Sequence, residues 1–565
     1  MVKREEVIIS DMTVATPASA LSDTAVPDRW LVLPYEGDIT GKMLWKPARA
    51  RVEDLTIPLP ALGLCRIFIG LYGSGTVPIW YNFYGPKATN KAWVRLRLRL
   101  TDQDWFEEMT PDDYPQEPRL GYISEMPWRT VELKGQSLVV APPREEACDD
   151  LMTFIAYVRI VPVDRKESWP AETKRLAAYF DSNFHGHFVD NPADIKRYLM
   201  PLRETDVGMV FWTTCREDTC YYPTKIGNPF TYNGTTGVYP YWAGRDLERM
   251  LSRGEDPLKI VCDVGYGLGL KVFASYRRMT CRMPPFVFPL HPEAMFMKRR
   301  DLWCADGNGE PVPHLSLAYP EVRARMIALL AEQAENYEID GVHLYFSRGT
   351  PFVLLEEPVR AEFRKRHGVD PCGLPASDER VWDVRSHFVL AFLRELRAAL
   401  DTVGKKRGRR YDVAMHVAAS VRASRFYGLD PAAMGRERLV DIILPDHAHF
   451  LPAELPDAKA ICATPEQVGE FATALKGTGV RLMPVCGRGP NYTPDVMTQG
   501  QRAAAYYKAG ATGLHWYATP VGSRMGHLDE LDRVDARATE GRRLVRINSF
   551  NGMKIDMNFG LPTSG

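Results

Sequence analysis

The chain has no net charge to offer a partner: 71 Lys and Arg balance 71 Asp and Glu over 565 residues. No overall field therefore draws it to nucleic acid or to an anionic membrane, and we expect neither as a partner. It also lacks any run of about 18 uninterrupted apolar residues, the length a membrane helix needs. The opening MVKREEVIISDMTV carries no apolar signal core, so the expected location is the cytoplasm, or outside the cell with a signal peptide already removed. Ten cysteines are scattered without CxxC spacing, which excludes a zinc ribbon. Cys215 and Cys220 are near enough for a small disulfide loop, but free thiols are expected in a reducing cytosol. There is no GK[ST] phosphate loop, and VGYGLGLK (264–271) precedes a strand instead of opening a helix after one. No Gly-x-Ser-x-Gly elbow is present, and no cysteine has a convincing histidine partner.

What is present is the composition of a globular protein, 45% apolar and 25% charged. Its size calls for a large domain plus accessories. Residues 1–28, rich in Ser, Thr, Ala and Pro, read as a surface arm. From 29 to 165, short alternating runs such as CRIFIGLYG (65–73), AWVRLRLRL (92–100) and FIAYVRIVPV (154–163) predict an all-β sandwich. After ESWPAETKR (167–175) apolar runs alternate with amphipathic stretches. Eight strands are expected, at 176–183, 207–212, 271–277, 341–348, 412–418, 440–445, 480–485 and 511–518, which fits an α/β (β/α)8 TIM barrel over 170–530. Helices are predicted at 320–337, led by Pro320, and at 384–404, ended by Gly404. Residues 531–565 form an extension whose segment 545–559 alternates like a strand pair and has two places to pack, the barrel or the sandwich.

The segment DLWCADGNGEPVPHLSLAYPEVRARMIALLAEQAENYEIDGVHLYFSR (301–348), with its Pro-Glu-Val-Arg helix leading into Tyr-x-Ile-Asp-Gly, resembles bacterial glycosyl-hydrolase-like barrels related to family 10 glycosidases. The likeness runs loosely from 175 to 520 and takes in LVDIILP and AAAYYKAGATGLHWY. It implies a (β/α)8 fold acting on carbohydrate. Such barrels usually follow Asp-Gly with a carboxylate pair of the type Glu-Leu-Asp, where this chain has His343-Leu344-Tyr345. Strand seven, MPVCGRGP, offers Cys486 and Arg488 where many such barrels have a glutamate.

Reacting groups in a barrel come from the carboxyl ends of the strands. Those ends hold Asp181, His185, His187, Glu217, Asp218, Tyr276, Arg277, His343, Tyr345, Arg348, His416, Asp446, His447, His449, Cys486, Arg488, His515 and Trp516. Seven of the twelve histidines fall there. One such histidine is most simply a core residue; seven suggest a polar pocket that handles protons. The principal expectation is glycoside hydrolysis of an oligo- or polysaccharide, with Asp446, His343, Tyr345, His416 and Asp181 as catalytic candidates. Arg348, His447, His449, Arg488, His515, Trp516, Trp212, Trp242, Tyr276, Arg277, His185, His187 and Glu356 are the substrate-binding candidates. Glu356 and Glu357 equally suit the start of a helix, where acids favour the positive dipole end. The loop 213–245 is dense in aromatics and reads as a sugar platform or as a self-packed loop.

Three alternatives stand beside hydrolysis. His185, His187, His416 and His447 resemble an amidohydrolase metal set holding a divalent ion such as Zn, although strand eight supplies no aspartate. His343, Tyr345 and Arg348 would suit a polysaccharide lyase, Arg neutralising a uronate while Tyr or His moves a proton. The missing carboxylate pair also fits a catalytically silent sugar-binding barrel. No cofactor is expected on the principal reading.

Overall fold

A computed structural model describes residues 5–46, 50–72, 93–109, 122–142, 151–163, 173–180, 191–230, 242–278, 293–346, 349–446, 462–488, 499–517, 543–555 and 562–563, except 95 and 204. It is mixed α/β, with one extended parallel sheet and two large antiparallel ones.

The larger antiparallel sheet runs, edge to edge, through Val7–Ile9, Tyr157–Pro162, Gly63–Tyr72, Tyr122–Leu133, Leu544–Phe550, Trp30–Gly37, Gly41–Lys46, Leu151–Ile155 and Trp93–Val94. The smaller orders Leu55–Pro58, Ser137–Ala141, Leu96–Leu100 and Glu107–Met109. Alternation explains how they meet. In LRLRL, Leu96, Leu98 and Leu100 are buried, while Arg97 and Arg99 turn away, their guanidinium carbons 4.7 and 5.1 Å from the Phe106 ring. Those leucines join Ile67, Ile69, Trp128 and Val158 of the larger sheet in one core.

One expectation changes here, and one open alternative is decided. The segment 1–28 is no mere surface arm: Val7–Ile9 adds an edge strand against Val158–Ile160, and Met12, Ala15 and Ala20 enter the core. Near the other end of the chain, Leu544–Phe550 lies between Tyr122–Leu133 and Trp30–Gly37, so the extension packs on the antiparallel side.

The parallel strands are β1 (Leu176–Phe180), β2 (Val207–Arg216), β3 (Lys271–Arg277), β4 (Gly341–Tyr345), β5 (Asp412–Ala418), β6 (Ile442–Asp446), β7 (Arg481–Leu482), β8 (Val485–Arg488) and β9 (Leu514–Tyr517). Their order is β7-β6-β5-β4-β3-β2-β1-β9-β8, so the sheet's two ends are consecutive pieces of one segment. One face packs on helices: Leu176, Ala178, Val272, Ala274, Val342, Leu344, Val413, Met415 and Leu514 belong to that core. The residues between them form a separate inner cluster that includes Ala177, Tyr179, Phe211, Phe273, Tyr345, Ala414 and Leu444.

At the amino ends, carboxylates tie neighbouring strands together. Asp340 Oδ2 accepts from Val272 N at 2.8 Å, and Asp441 Oδ2 accepts from Val413 N at 2.8 Å. Helix Pro320–Asn336 begins at a proline with Glu321 in its first turn. Helix Glu379–Arg407 is longer than its sequence suggests. Gly404 lies inside it, and the cap is Gly408 at φ 66°, the left-handed conformation that lets a helix end.

Candidate functional site

The strands' inner faces carry polar side chains toward their carboxyl ends. Period-two alternation places Ala414 and His416 on the inner face of β5, Ile442, Leu444 and Asp446 on that of β6, and His343 and Tyr345 on that of β4. Register brings Ala418 beside Asp446 and Ser275 beside His343.

His416 Nδ1 lies 3.1 Å from Asp446 Oδ2, and both side chains are fully buried. Around this pair the ring centroids of His343 and His515 are each 4.8 Å from that of His416, and Tyr345 is 4.7 Å away. Tyr179 completes the group, 4.8 Å from Tyr345 and 5.4 Å from His343. Below them Phe211 stacks on His343 at 4.3 Å. Ser275 Oγ is 2.8 Å from His343 Nδ1, while His343 Nε2 has no hydrogen-bond partner among the described residues. Burial holds the His343 imidazole well below its ordinary pKa, the neighbouring His416 and His515 push the same way, and Asp446 opposes them. Arg277, also buried, has its guanidinium carbon 5.8 Å from the Tyr345 ring.

His343, Tyr345, His416, Asp446, His515 and Arg277 are thus brought together. Others are placed elsewhere. Trp212, Tyr276 and Trp516 pack on the helix side of the sheet. Tyr276 Oη donates to Glu217 Oε2 at 3.0 Å, and burial, with Glu217 adding, pushes its phenol well above the ordinary value. Asp218 receives Arg325 Nη2 at 3.1 Å and Met295 N at 3.1 Å. Glu356 is buried away from the cluster; its carboxylate accepts from Ser316 Oγ, from Ala305 N at 3.2 Å and from Leu354 N at 3.1 Å, just ahead of helix Glu357–His367. Its position is that of the helix start.

The described part of the aromatic loop is self-packed: Tyr221 and Phe230 meet at 5.4 Å, and buried Tyr222 donates to Glu332 Oε2 at 2.9 Å. Asp181, His185, His187, Arg348, His447 and His449 lie outside the described residues, as do the side chains of Trp242 and Arg488. Tyr179, Phe211 and Ser275 were not singled out by sequence; their place on the inner-face alternation is the signal that finds them.

Chemically, a carboxylate on Nδ1 fixes the orientation of the His416 ring, so that Nε2 is the nitrogen left to exchange a proton. Asp446 is the one carboxylate in this cluster among the described residues. The same residues contain no group of three or more His, Cys, Asp or Glu arranged to hold a metal ion, and no helix long and apolar enough to cross a membrane. Cys215 and Cys220 are register partners across a hairpin, buried and unbonded to each other.

No protein-family model and no curated protein matches the chain. Among solved structures it is similar to α-L-fucosidase isoenzyme 2 from Paenibacillus thiaminolyticus (12% identity, 64% of this chain and 48% of that one, TM-score 0.37). It is also similar to the GH36 α-galactosidase AgaA from Geobacillus stearothermophilus (11%, 95% and 73%, 0.34) and to a GH20 exo-β-N-acetylglucosaminidase from Vibrio harveyi (12%, 61% and 45%, 0.31). The chain spans about half the length of the fucosidase. The family numbers here are 36 and 20, so the specific likeness to family 10 gains nothing from them. These neighbours are glycoside hydrolases, and at such scores the functional reading rests on the site itself.

Proposed function

We propose that the protein is a carbohydrate-active enzyme that hydrolyses a glycosidic bond at the carboxyl-terminal face of a (β/α)8 barrel, with the antiparallel sheets forming a β-sandwich accessory. The single observation that carries this reading is the buried His416–Asp446 pair, set among His343, His515 and Tyr345 at the carboxyl ends of parallel strands. The barrel reading is supported by the strand order: β7 and β8 are parts of one segment, so pairing proceeds from β1 through β6 to that segment and returns through β9. We divide the chain as 29–165 for the sandwich and 170–530 for the barrel, with 1–28 and 531–565 contributing strands to the sandwich.

Hydrolysis needs one group to protonate the leaving oxygen and a second to support the oxocarbenium-like centre. Asp446 is assigned as one of them, with His416 holding its orientation and sharing its proton. Asp181, the carboxylate that follows β1 in the sequence, is assigned as the other. His343, Tyr345, Arg277 and His515 orient the sugar, and Arg348, His447, His449 and Arg488 extend its contacts. Asp446→Asn and Asp181→Asn are tested against a broad glycan panel. Loss of kcat by about three orders of magnitude is expected, with the fold retained and thermal unfolding lowered only slightly; undiminished turnover in both rejects the assignment.

A second reading has its own support. His343, His416, Asp446 and Tyr345 are all 0% exposed, and the cluster's described residues supply one carboxylate rather than two. These fit a catalytically silent barrel that binds sugar. Saturable glycan binding without turnover in the wild type would establish it. Activity abolished by a chelator and restored by Zn²⁺ would instead favour the metal-dependent alternative, and an unsaturated uronate product would favour the lyase.

A further inference from the structure

Arg278 follows β3 and turns to the helix side of the sheet, away from the His416–Asp446 cluster. Its side chain is fully buried, and none of its three guanidinium nitrogens has a hydrogen-bond partner among the described residues. The flanking groups are aromatic: the guanidinium carbon is 5.4 Å from the Phe352 ring and 5.9 Å from the Phe346 ring. Buried guanidinium groups normally spend their donors on carboxylates or carbonyls, because an uncompensated charge in a protein interior costs several kcal/mol.

The surroundings do not compensate it. His314, also buried, has an Nδ1 without a hydrogen-bond partner among the described residues, and burial with the Arg278 charge lowers its pKa to about 3, leaving a neutral ring that can donate. Arg385 is a second buried cation in this region. The carboxylates nearby are engaged: Glu356 accepts from Ser316 Oγ, Ala305 N and Leu354 N, and Glu217 accepts from Tyr276 Oη. Cys304 senses both Glu356 and Arg278, and burial pushes its thiol well up, so it adds no negative charge. Two buried cations, Arg278 and Arg385, therefore share a region whose carboxylates, Glu356 and Glu217, are already engaged by other donors.

We propose that Arg278 and His314 form a buried binding site for one small oxyanion, a carboxylate, phosphate or sulfate, separate from the His416–Asp446 cluster. The guanidinium fork matches paired oxygens, the imidazole N–H supplies a further donor, and the phenylalanine rings exclude water, which strengthens charge-assisted bonds.

The test uses the full chain dialysed into a buffer with chloride as its anion. Thermal unfolding is followed while inorganic phosphate, sulfate or acetate is titrated, and any oxyanion released on acid denaturation is quantified by ion chromatography. In the wild type either a saturable rise in Tm or about one equivalent of released oxyanion is expected. A response to acetate alone identifies a small organic acid; a response to phosphate or sulfate identifies a free tetrahedral ion. Arg278→Met should weaken the midpoint about tenfold or more, and His314→Gln about threefold. Should Arg278→Met fail to fold, the wild type and His314→Gln decide. Equal, non-saturating increments in all proteins, with no released oxyanion, overturn the proposal.

Discussion

His416 and Asp446, thirty residues apart in sequence and on adjacent parallel strands, meet through Nδ1 and Oδ2 at 3.1 Å with no exposure to solvent. A hydrogen bond to a charged group in such a place is worth about 1.5–3 kcal/mol. Asp446→Ala should lose about that much stability in urea unfolding, and Asp446→Asn less, since the amide oxygen can still accept from Nδ1. A double-mutant cycle with His416→Gln should show coupling of about 1 kcal/mol or more. Additivity would show that the pair is a contact without energetic consequence.

Acid should destabilise the protein through its buried histidines. His343 is held well below the ordinary value by burial, and His314 is lowered to about 3. In each case the unfolded chain takes up a proton at about pH 6.5 that the folded one refuses, so stability is full above that pH and falls as pH drops toward the folded pKa. Between pH 6.5 and 5 the loss should be about 2 kcal/mol per histidine. Denaturant titrations at pH 7.5 and 5 check this, and His314→Gln should remove one proton's share of the slope. A flat profile would contradict the burial of both rings.

Glu356 should matter to stability and not to substrate. Its oxygens bind Ser316 Oγ and the backbone N–H groups of Ala305 and Leu354, joining the 303–315 hairpin to the start of helix Glu357–His367. Glu356→Ala leaves those donors buried and should cost about 3 kcal/mol. KM of the folded remainder should stay unchanged; a raised KM with normal Tm would restore it to the substrate.

Gly341 should tolerate no side chain. A Cβ there would collide with the Asp412 carbonyl oxygen and come within 2.5 Å of Phe273 Cε1. Gly341→Ala should therefore cost about 1–3 kcal/mol through backbone shifts, readable as a lower Tm. A neutral result would mean that β4 and β5 can separate freely.

The strands of the parallel sheet were legible because Gly and Asp punctuate short apolar runs, as Asp340-Gly341 does before β4. The histidines and Asp446 could be located for the same reason, since counting by two from Ala414 or Ile442 reaches them. What was not legible is non-local. Nothing in the sequence couples Glu356 to Ser316, forty residues earlier, or leaves Arg278 buried beside Phe352. The end of the long helix was misplaced because Gly404 looks like a terminator, whereas Lys405, Lys406 and Arg407 mark the true last turn by suiting its negative dipole end. Tyr-x-Ile-Asp-Gly, the basis of the family resemblance, sits at the amino ends of the strands, where Asp340 serves stability rather than chemistry.

Because Leu544–Phe550 separates Tyr122–Leu133 from Trp30–Gly37, the ribosome must have passed both of those strands and reached residue 550 before that sheet can be zipped shut. During synthesis the early strands must wait with two edges unpaired, the form most exposed to pairing with a neighbouring chain. A nonsense codon near position 540 would accordingly cripple a sheet whose other strands were translated long before it.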